Sequence, residues 1–258
     1  MLRSKPVGLL RMEGTIGVGV RSADWVPLLE GVRRSRRIKA LALEIDSRGG
    51  SASASDYIHE ALRQLAAEKP VVAFSGNLCA SGGYLIAAAA RRFIVQPAAL
   101  VGSIGVISVR PLAYDLMQRI GLAVRVSKSD RLKDMGAFWR PPTEEEEAKE
   151  QALVQEYYSM FLERVVAGRG MDPDQLRALA TGEVFTGRQA VASGLADRVG
   201  TFQDAIDEAA GLAGVARRTR WLGTKRSLRQ RLLGPLATSL ADEIWERALA
   251  VTTAEPRY

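Results

Sequence analysis

Short apolar runs of strand length alternate along the chain with stretches whose apolar positions recur every three or four residues, the spacing of helices. Val7 to Met12 and Ile38 to Ile45 read as strands, with Trp25 to Arg34 between them as a helix that has Asp24 as N-cap and Pro27 in its first turn. A second helix begins near Ser53 and gathers Ile58, Ala61, Leu62 and Leu65 on one face. Val71 to Phe74 is strand-like, Ser75-Gly76-Asn77 forms a turn, and Gly82 to Ala90 reads as a helix of small residues. Phe93 to Val95, Gly105 to Val109 and Val124 to Val126 continue the strand pattern, and Pro111 to Ile120 is helical. This alternation predicts an α/β fold with a parallel or mostly parallel sheet.

Later helices are announced by their caps. Pro141-Pro142 precedes Thr143, and Glu146 follows three residues on, a capping box for a helix that runs to about Ala167 and stops at Gly168-Arg169-Gly170. Asp172-Pro173 supplies an N-cap and a first-turn proline, Thr186 opens a helix that Gly194 ends, and Thr201 opens one reaching Ala213. Past Gly214 the composition changes, first to a basic stretch and then, over Leu232 to Ala250, to an amphipathic helical pattern. The expected organisation is a main domain over 1–215 and a basic amphipathic extension over 216–258.

The 258 residues are 47% apolar and 25% charged, so the chain can bury a sizeable core and is not of disordered composition. Of the net charge of +7, Arg217, Arg218, Arg220, Lys225, Arg226, Arg229 and Arg231 account for the whole excess. The main domain is therefore electrically balanced. That basic run suits an anionic membrane surface or a neighbouring subunit; nucleic acid is a poorer fit, because no array of stacking aromatics accompanies it beyond Trp221. One cysteine, Cys79, and one histidine, His59, leave no zinc cluster and no intramolecular disulfide, and no cofactor or metal is expected. Two uncharged runs, Pro70 to Ala90 and Phe93 to Val109, hold Gly and Pro and read as buried strands and turns rather than membrane spans. No export signal is legible at the N-terminus, and a cytoplasmic location, peripheral at most to the inner face of a membrane, is expected.

The chemistry concentrates in Cys79-Ala80-Ser81-Gly82-Gly83-Tyr84, which enters a helix. A serine on a tight turn at that place presents its hydroxyl beside unpaired backbone N–H groups that can hold the charge of a tetrahedral intermediate. Asp46-Ser47-Arg48-Gly49-Gly50 closes another predicted strand, where open α/β sheets place ligands, and its N–H groups are candidates for a second donor; a plain strand-to-helix turn explains it equally well. His59 falls off the apolar face of its helix and reads as a solvated residue, which argues against a Ser-His-Asp triad. A lysine can replace the histidine if its amine is neutral, which a dry, apolar crevice favours. Lys133 has such neighbours in Leu132, Met135, Phe138 and Trp139.

DSRGG at 46–50, NLCASGGYLIAAAA at 77–90, VGSIGVI at 101–107, LKDMGAFWR at 132–140 and GEVFTGRQAVASGLADRVG at 182–200 together resemble the signal peptide peptidase A family of Ser-Lys proteases, in order, over about residues 8 to 213. The resemblance implies a spiral of ββα units like that of Clp protease and the crotonases, here with a C-terminal helical appendage. It implies Ser81 as nucleophile, Lys133 as general base, main-chain N–H groups near Gly50 and Gly82 as oxyanion hole, and Ser103 as the hydroxyl that orients the lysine. It further implies peptide substrates such as signal-peptide remnants, and a homo-oligomeric ring in which the serine of one subunit meets the lysine of the next. Arg48 stands where the family usually has proline, and the N-terminal membrane anchor of well-known members is not seen. A crotonase-type acyl-CoA enzyme and a non-catalytic scaffold of the same fold are the alternative functions.

Overall fold

The computed structural model describes residues 6–223, which divide into two compact units, the larger from 6–104 and 162–223 and the smaller from 105–161. The larger unit is built on six parallel strands in the order β8-β5-β3-β2-β1-β9. These are β1 (Val7–Glu13), β2 (Ala40–Asp46), β3 (Val71–Ser75), β5 (Arg92–Val95), β8 (Arg198–Val199) and β9 (Thr219–Trp221). A three-stranded sheet joins β4 (Leu78–Ala80) in parallel to β6 (Leu100–Gly102), which pairs antiparallel with β7 (Val184–Thr186).

Near-continuous apolar strands are what a parallel sheet covered on both faces requires. Along β2, Ala40 and Ala42 turn to one face, where Val7, Leu9, Val72, Phe74 and Ile94 join Ala205, Ile206, Ala209 and Ala210 of α8 (Phe202–Leu212) in one buried cluster. The alternate positions Leu41, Leu43 and Ile45 are fully buried on the other face. There, α1 (Ser22–Arg34), α2 (Ala52–Glu68) and α3 (Gly82–Ala88) pack in succession. The face expected for α2 is correct: Ile58, Ala61, Leu62 and Leu65 are all buried.

The smaller unit holds α4 (Tyr114–Arg119) and most of α5 (Glu144–Arg169), whose last turns belong to the larger unit. The capping box that opens α5 is formed: Glu146 N donates to Thr143 Oγ1 at 3.3 Å, and Thr143 N to Glu146 Oε2 at 2.8 Å. Asp172 caps α6 (Pro173–Leu179), and Thr186 and Thr201 cap α7 (Gly187–Ala192) and α8, each as the sequence predicts.

Several expectations are corrected. Gly105 to Val109 and Val124 to Val126 form no strand; Ile107, Val109, Val124 and Val126 are exposed, so their β-rich composition has no ladder partner among the described residues. The strand after β5 is instead β6. Asp24 does not cap α1; Arg21 holds the cap position, and its guanidinium donates to both Asp24 oxygens at 2.8 and 3.0 Å. His59 is not solvated but 1% exposed, between α2 and α3. The strand β9 extends the main sheet past residue 216 by pairing with β1, while the rest of the basic run and the Leu232 to Ala250 pattern lie outside the described residues.

Candidate active site

Ser81 stands where β4 ends and α3 begins, half-buried, at φ 51° and ψ −122°. A non-glycine residue there costs on the order of 1–3 kcal/mol of backbone strain, so the surrounding structure must hold it. It does so with the backbone. Ser81 N donates to Gly102 O at 2.8 Å, and Ala80 N to Ser47 O at 2.9 Å. The Ser81 hydroxyl caps nothing in α3, although it occupies the cap position.

The parallel register of β4 and β6 pairs Ala80 with Gly102, so the next residues, Ser81 and Ser103, emerge side by side. Neighbouring strands run about 4.8 Å apart, which places the two serines within side-chain reach of each other. Ser103 is the second non-glycine residue with positive φ, at 49°, and its N–H is held by Glu183 O at 2.7 Å. Two serines at positive φ thus stand at the ends of adjacent strands; the sequence singles out Ser81, and the family resemblance adds Ser103.

The 46–50 turn closes over this corner. Ser47 is 2% exposed; its N–H donates to Leu78 O at 2.8 Å, its hydroxyl donates to Gly14 O at 2.7 Å, and the same oxygen accepts from Gly49 N at 3.1 Å. Gly49, at φ 95°, lies so close to the serine turn that a Cβ would stand 2.7 Å from Gly82 N and 2.8 Å from Ser81 Cβ. Gly82 has no room for a side chain either, because its Cβ would meet Ser55 Oγ at 2.1 Å. Ser55 is fixed in turn by donating to Ser51 O at 2.8 Å. The Gly49 N–H is used by Ser47, whereas those of Gly50 and Gly82 have no carbonyl acceptor among the described residues.

His59 supports α3 from below. Its Nδ1 lies 2.7 Å from Leu85 O, and because a carbonyl only accepts, that nitrogen carries the proton. Burial holds the ring's pKa below its ordinary value despite that hydrogen bond, so it is a neutral strut for α3. Cys79, one strand residue before Ala80, is fully buried, and burial pushes its thiol pKa up, away from a thiolate nucleophile. No group of three or more His, Cys, Asp or Glu side chains among the described residues is arranged to hold a metal ion. No described helix is long and apolar enough to cross a membrane.

Lys133 belongs to the smaller unit. It is exposed, in a turn of residues 131–136, with its N–H donating to Asp130 O at 3.2 Å and its amine in no ion pair among the described residues. The carboxylate next to it, Asp134, is taken by Arg140 at 2.9 Å and Lys128 at 2.6 Å, which hold that carboxyl well below the usual carboxylate range. The structure thus gathers Ser81, Ser103, Gly49, Gly50 and Gly82 in one corner of the larger unit, with Lys133 on the smaller one. The supporting Ser47 and Ser55, and the ion pairs around Asp134, were not singled out from sequence. Ser55 carries a readable signal in its spacing of four from the N-cap Ser51; the ion pairs carry none, since each charge reads alone as a solvated residue.

Comparison with known proteins gives a consistent answer. A family model, Peptidase family S49, matches residues 63–216. A candidate protease of Synechocystis sp. is 36% identical over 213 residues, 82% of this chain and 76% of that protein. One of Methanocaldococcus jannaschii is 33% identical over 192 residues, 74% of this chain and 62% of that protein. The chloroplastic serine protease SPPA of Arabidopsis thaliana is 34% identical over 193 residues, which are 74% of this chain and 28% of the plant protein.

Proposed function

The chain belongs to peptidase family S49 and is a serine-type protease, and from that premise we propose that it hydrolyses peptide bonds in apolar or small-residue peptides with Ser81 as nucleophile and Lys133 as general base. The observation that carries this is the backbone of Ser81: a strained serine whose hydroxyl caps nothing, at a turn pressed against the 46–50 turn, where the N–H groups of Gly50 and Gly82 have no carbonyl acceptor among the described residues. The neutral Lys133 amine takes the hydroxyl proton as Oγ attacks the scissile carbonyl carbon. The oxyanion then accepts hydrogen bonds from Gly82 N and Gly50 N. The lysine returns the proton to the leaving amine, and water hydrolyses the acyl-serine by the same base. Ser103, in register beside Ser81, orients the amine.

A base that must be neutral needs a dry setting, yet Lys133 is exposed in the single chain. Ile107, Val109, Leu116, Ile120 and Leu122 of the same unit are each more than half exposed, and burying such apolar side chains drives association. This favours a homo-oligomer in which a neighbour covers that surface and the Lys133 of one subunit serves the Ser81 of the next. Mixing Ser81→Ala with Lys133→Ala chains tests it: mixed particles regain peptide hydrolysis that neither variant has alone. Mixed particles that stay inactive while native mass shows that they have formed would refute the shared site. Peripheral contact of the basic run 217–231 with an anionic membrane surface, from the cytoplasmic side, belongs to the same reading; co-sedimentation with vesicles that depends on anionic lipid is the result expected.

A further inference from the structure

The smaller unit shows how the proposed base is held. Arg140 spans two carboxylates. Its Nε donates to Asp134 Oδ2 at 3.0 Å, while Nη1 and Nη2 donate to Glu146 at 2.8 and 2.6 Å. Glu146 is the third residue of α5 and only 3% exposed, and it also accepts from Thr143 N in the capping box. Asp134 follows Lys133 directly. A continuous chain of short contacts therefore runs from the first turn of a 26-residue helix, through one guanidinium, to the peptide that carries the lysine.

The remaining charges around the turn complete the arrangement. Lys128 Nζ donates to Asp134 Oδ1 at 2.6 Å and to Arg131 O at 2.9 Å, and Arg131 pairs with Glu145 at 2.8 Å and with the exposed Asp130 at 3.7 Å. On the far side, Ala113 N donates to Phe138 O at 2.8 Å. Every described carboxylate beside the turn is thus claimed by an arginine or by Lys128. The one adjacent to Lys133 in sequence, Asp134, is shared by Arg140 and Lys128. A planar fork that satisfies two carboxylates at once is a task for arginine and not for lysine.

We propose that Arg140 is a positioning residue for catalysis: by tying Asp134 to Glu146 it fixes the Lys133 turn on α5 and keeps the Asp134 carboxylate from pairing with the Lys133 amine. The inference rests on Lys133 being the base. Without the guanidinium, only the Arg131–Glu145 pair still ties the turn to the helix, and Asp134, left with Lys128 on one oxygen, has its other oxygen open to the ammonium form next to it, which favours the charged state and withdraws the base at a given pH.

The test compares Arg140→Gln, Arg140→Lys and the double variant Arg140→Gln/Asp134→Asn with the parent protein, each assayed per assembled particle counted by native mass. Arg140→Gln is expected to lower kcat about tenfold or more with KM nearly unchanged, because a misplaced catalytic group costs rate and not ground-state binding. The acid limb of its pH–kcat profile should move to higher pH, and Asp134→Asn should reverse that movement even if the rate stays low. Arg140→Lys should fall between parent and Arg140→Gln. A parental profile in Arg140→Gln, or a loss of rate that only tracks loss of assembled particles, overturns the inference, as does a shifted profile that Asp134→Asn leaves in place. Full activity in Lys133→Ala would instead show that the base itself is misassigned. If Lys133→Ala is dead while Arg140→Gln behaves as parent, the base stands and only the positioning role falls.

Discussion

Around Ser81 the chain is shaped almost entirely by backbone: strand register, two strained serines and a glycine turn pressed against another turn. Around Lys133 it is shaped by side chains, with two arginines tying a surface turn to the start of α5 and a lysine sharing the turn's Asp134. A backbone-built site is rigid before substrate or partner arrives, since moving it means breaking sheet hydrogen bonds. An ion-paired turn at the surface is worth less per contact and depends on what covers it. The serine half of the proposed dyad is built by the backbone of one chain. The lysine half is exposed there, and the proposed oligomer is what would cover it.

The largest effects should come from the two reacting groups. Ser81→Ala and Lys133→Ala are each expected to lower peptide hydrolysis by about ten-thousandfold or more, as loss of a nucleophile or its base does, with native mass unchanged. A fluorophosphonate probe sharpens the comparison, because its labelling should need both residues. Labelling of the Lys133→Ala protein at the parental rate would show that Ser81 is activated by something else.

Next in size is Gly49→Ala, which tests the claim that the serine half is built by backbone shape. The added methyl meets Gly82 N and Ser81 Cβ at 2.7 and 2.8 Å, at a φ that alanine resists. The turn must move, and with it the oxyanion donors, so hydrolysis should drop about a hundredfold or more, a size typical of losing one such donor. Parental kcat in Gly49→Ala would break the comparison. Ser103→Ala should have a smaller effect, about tenfold on kcat with KM little changed, since it removes a hydroxyl proposed to orient the base and leaves the proposed nucleophile and base in place.

The same contrast explains what could be read from sequence. Backbone-built features leave marks in residue type: the glycines at 49, 50, 82 and 83 and the small residues of α3. Their positions were legible because few residues tolerate such geometry. Strands β4 and β6 were missed because three residues are too few to show a period. The expected strands at 105–109 and 124–126 failed for the opposite reason, since their apolar alternation belongs to an exposed surface and not to a ladder. His59 was misplaced because its helix buries a wider arc than its aliphatic residues mark: Ser55 and His59, four apart, line the side that meets α3. Pairings such as Arg140 with Asp134 and Glu146 join residues six apart across an irregular turn, and no helical or strand spacing announces them.

The smallest expected effect concerns His59, and it separates support of the serine half from its chemistry. The ring is neutral in the folded protein because burial lowers its pKa below the ordinary 6.5, while the nearby Arg164 acts in the same sense and Asp56 and Glu60 oppose it. The unfolded chain therefore binds a proton that the folded chain refuses, so stability is fully present above pH 6.5 and falls as pH drops below it toward the folded value. Replacing the ring with leucine removes that proton uptake. It also strands the Leu85 carbonyl, at a cost of about 1–3 kcal/mol. Denaturant midpoints should accordingly be lower for His59→Leu than for the parent at pH 8, and the gap should narrow as pH falls through 6 and 5, where the parent alone loses stability to this ring. The rate per folded particle should stay within about twofold of the parent, since α3 keeps its packing and the ring touches no reacting atom. A His59→Leu protein as stable as the parent at pH 8 but unable to hydrolyse peptide would place His59 in the chemistry after all, and the comparison between a backbone-built serine site and a side-chain-built lysine site would need a third, imidazole-dependent part.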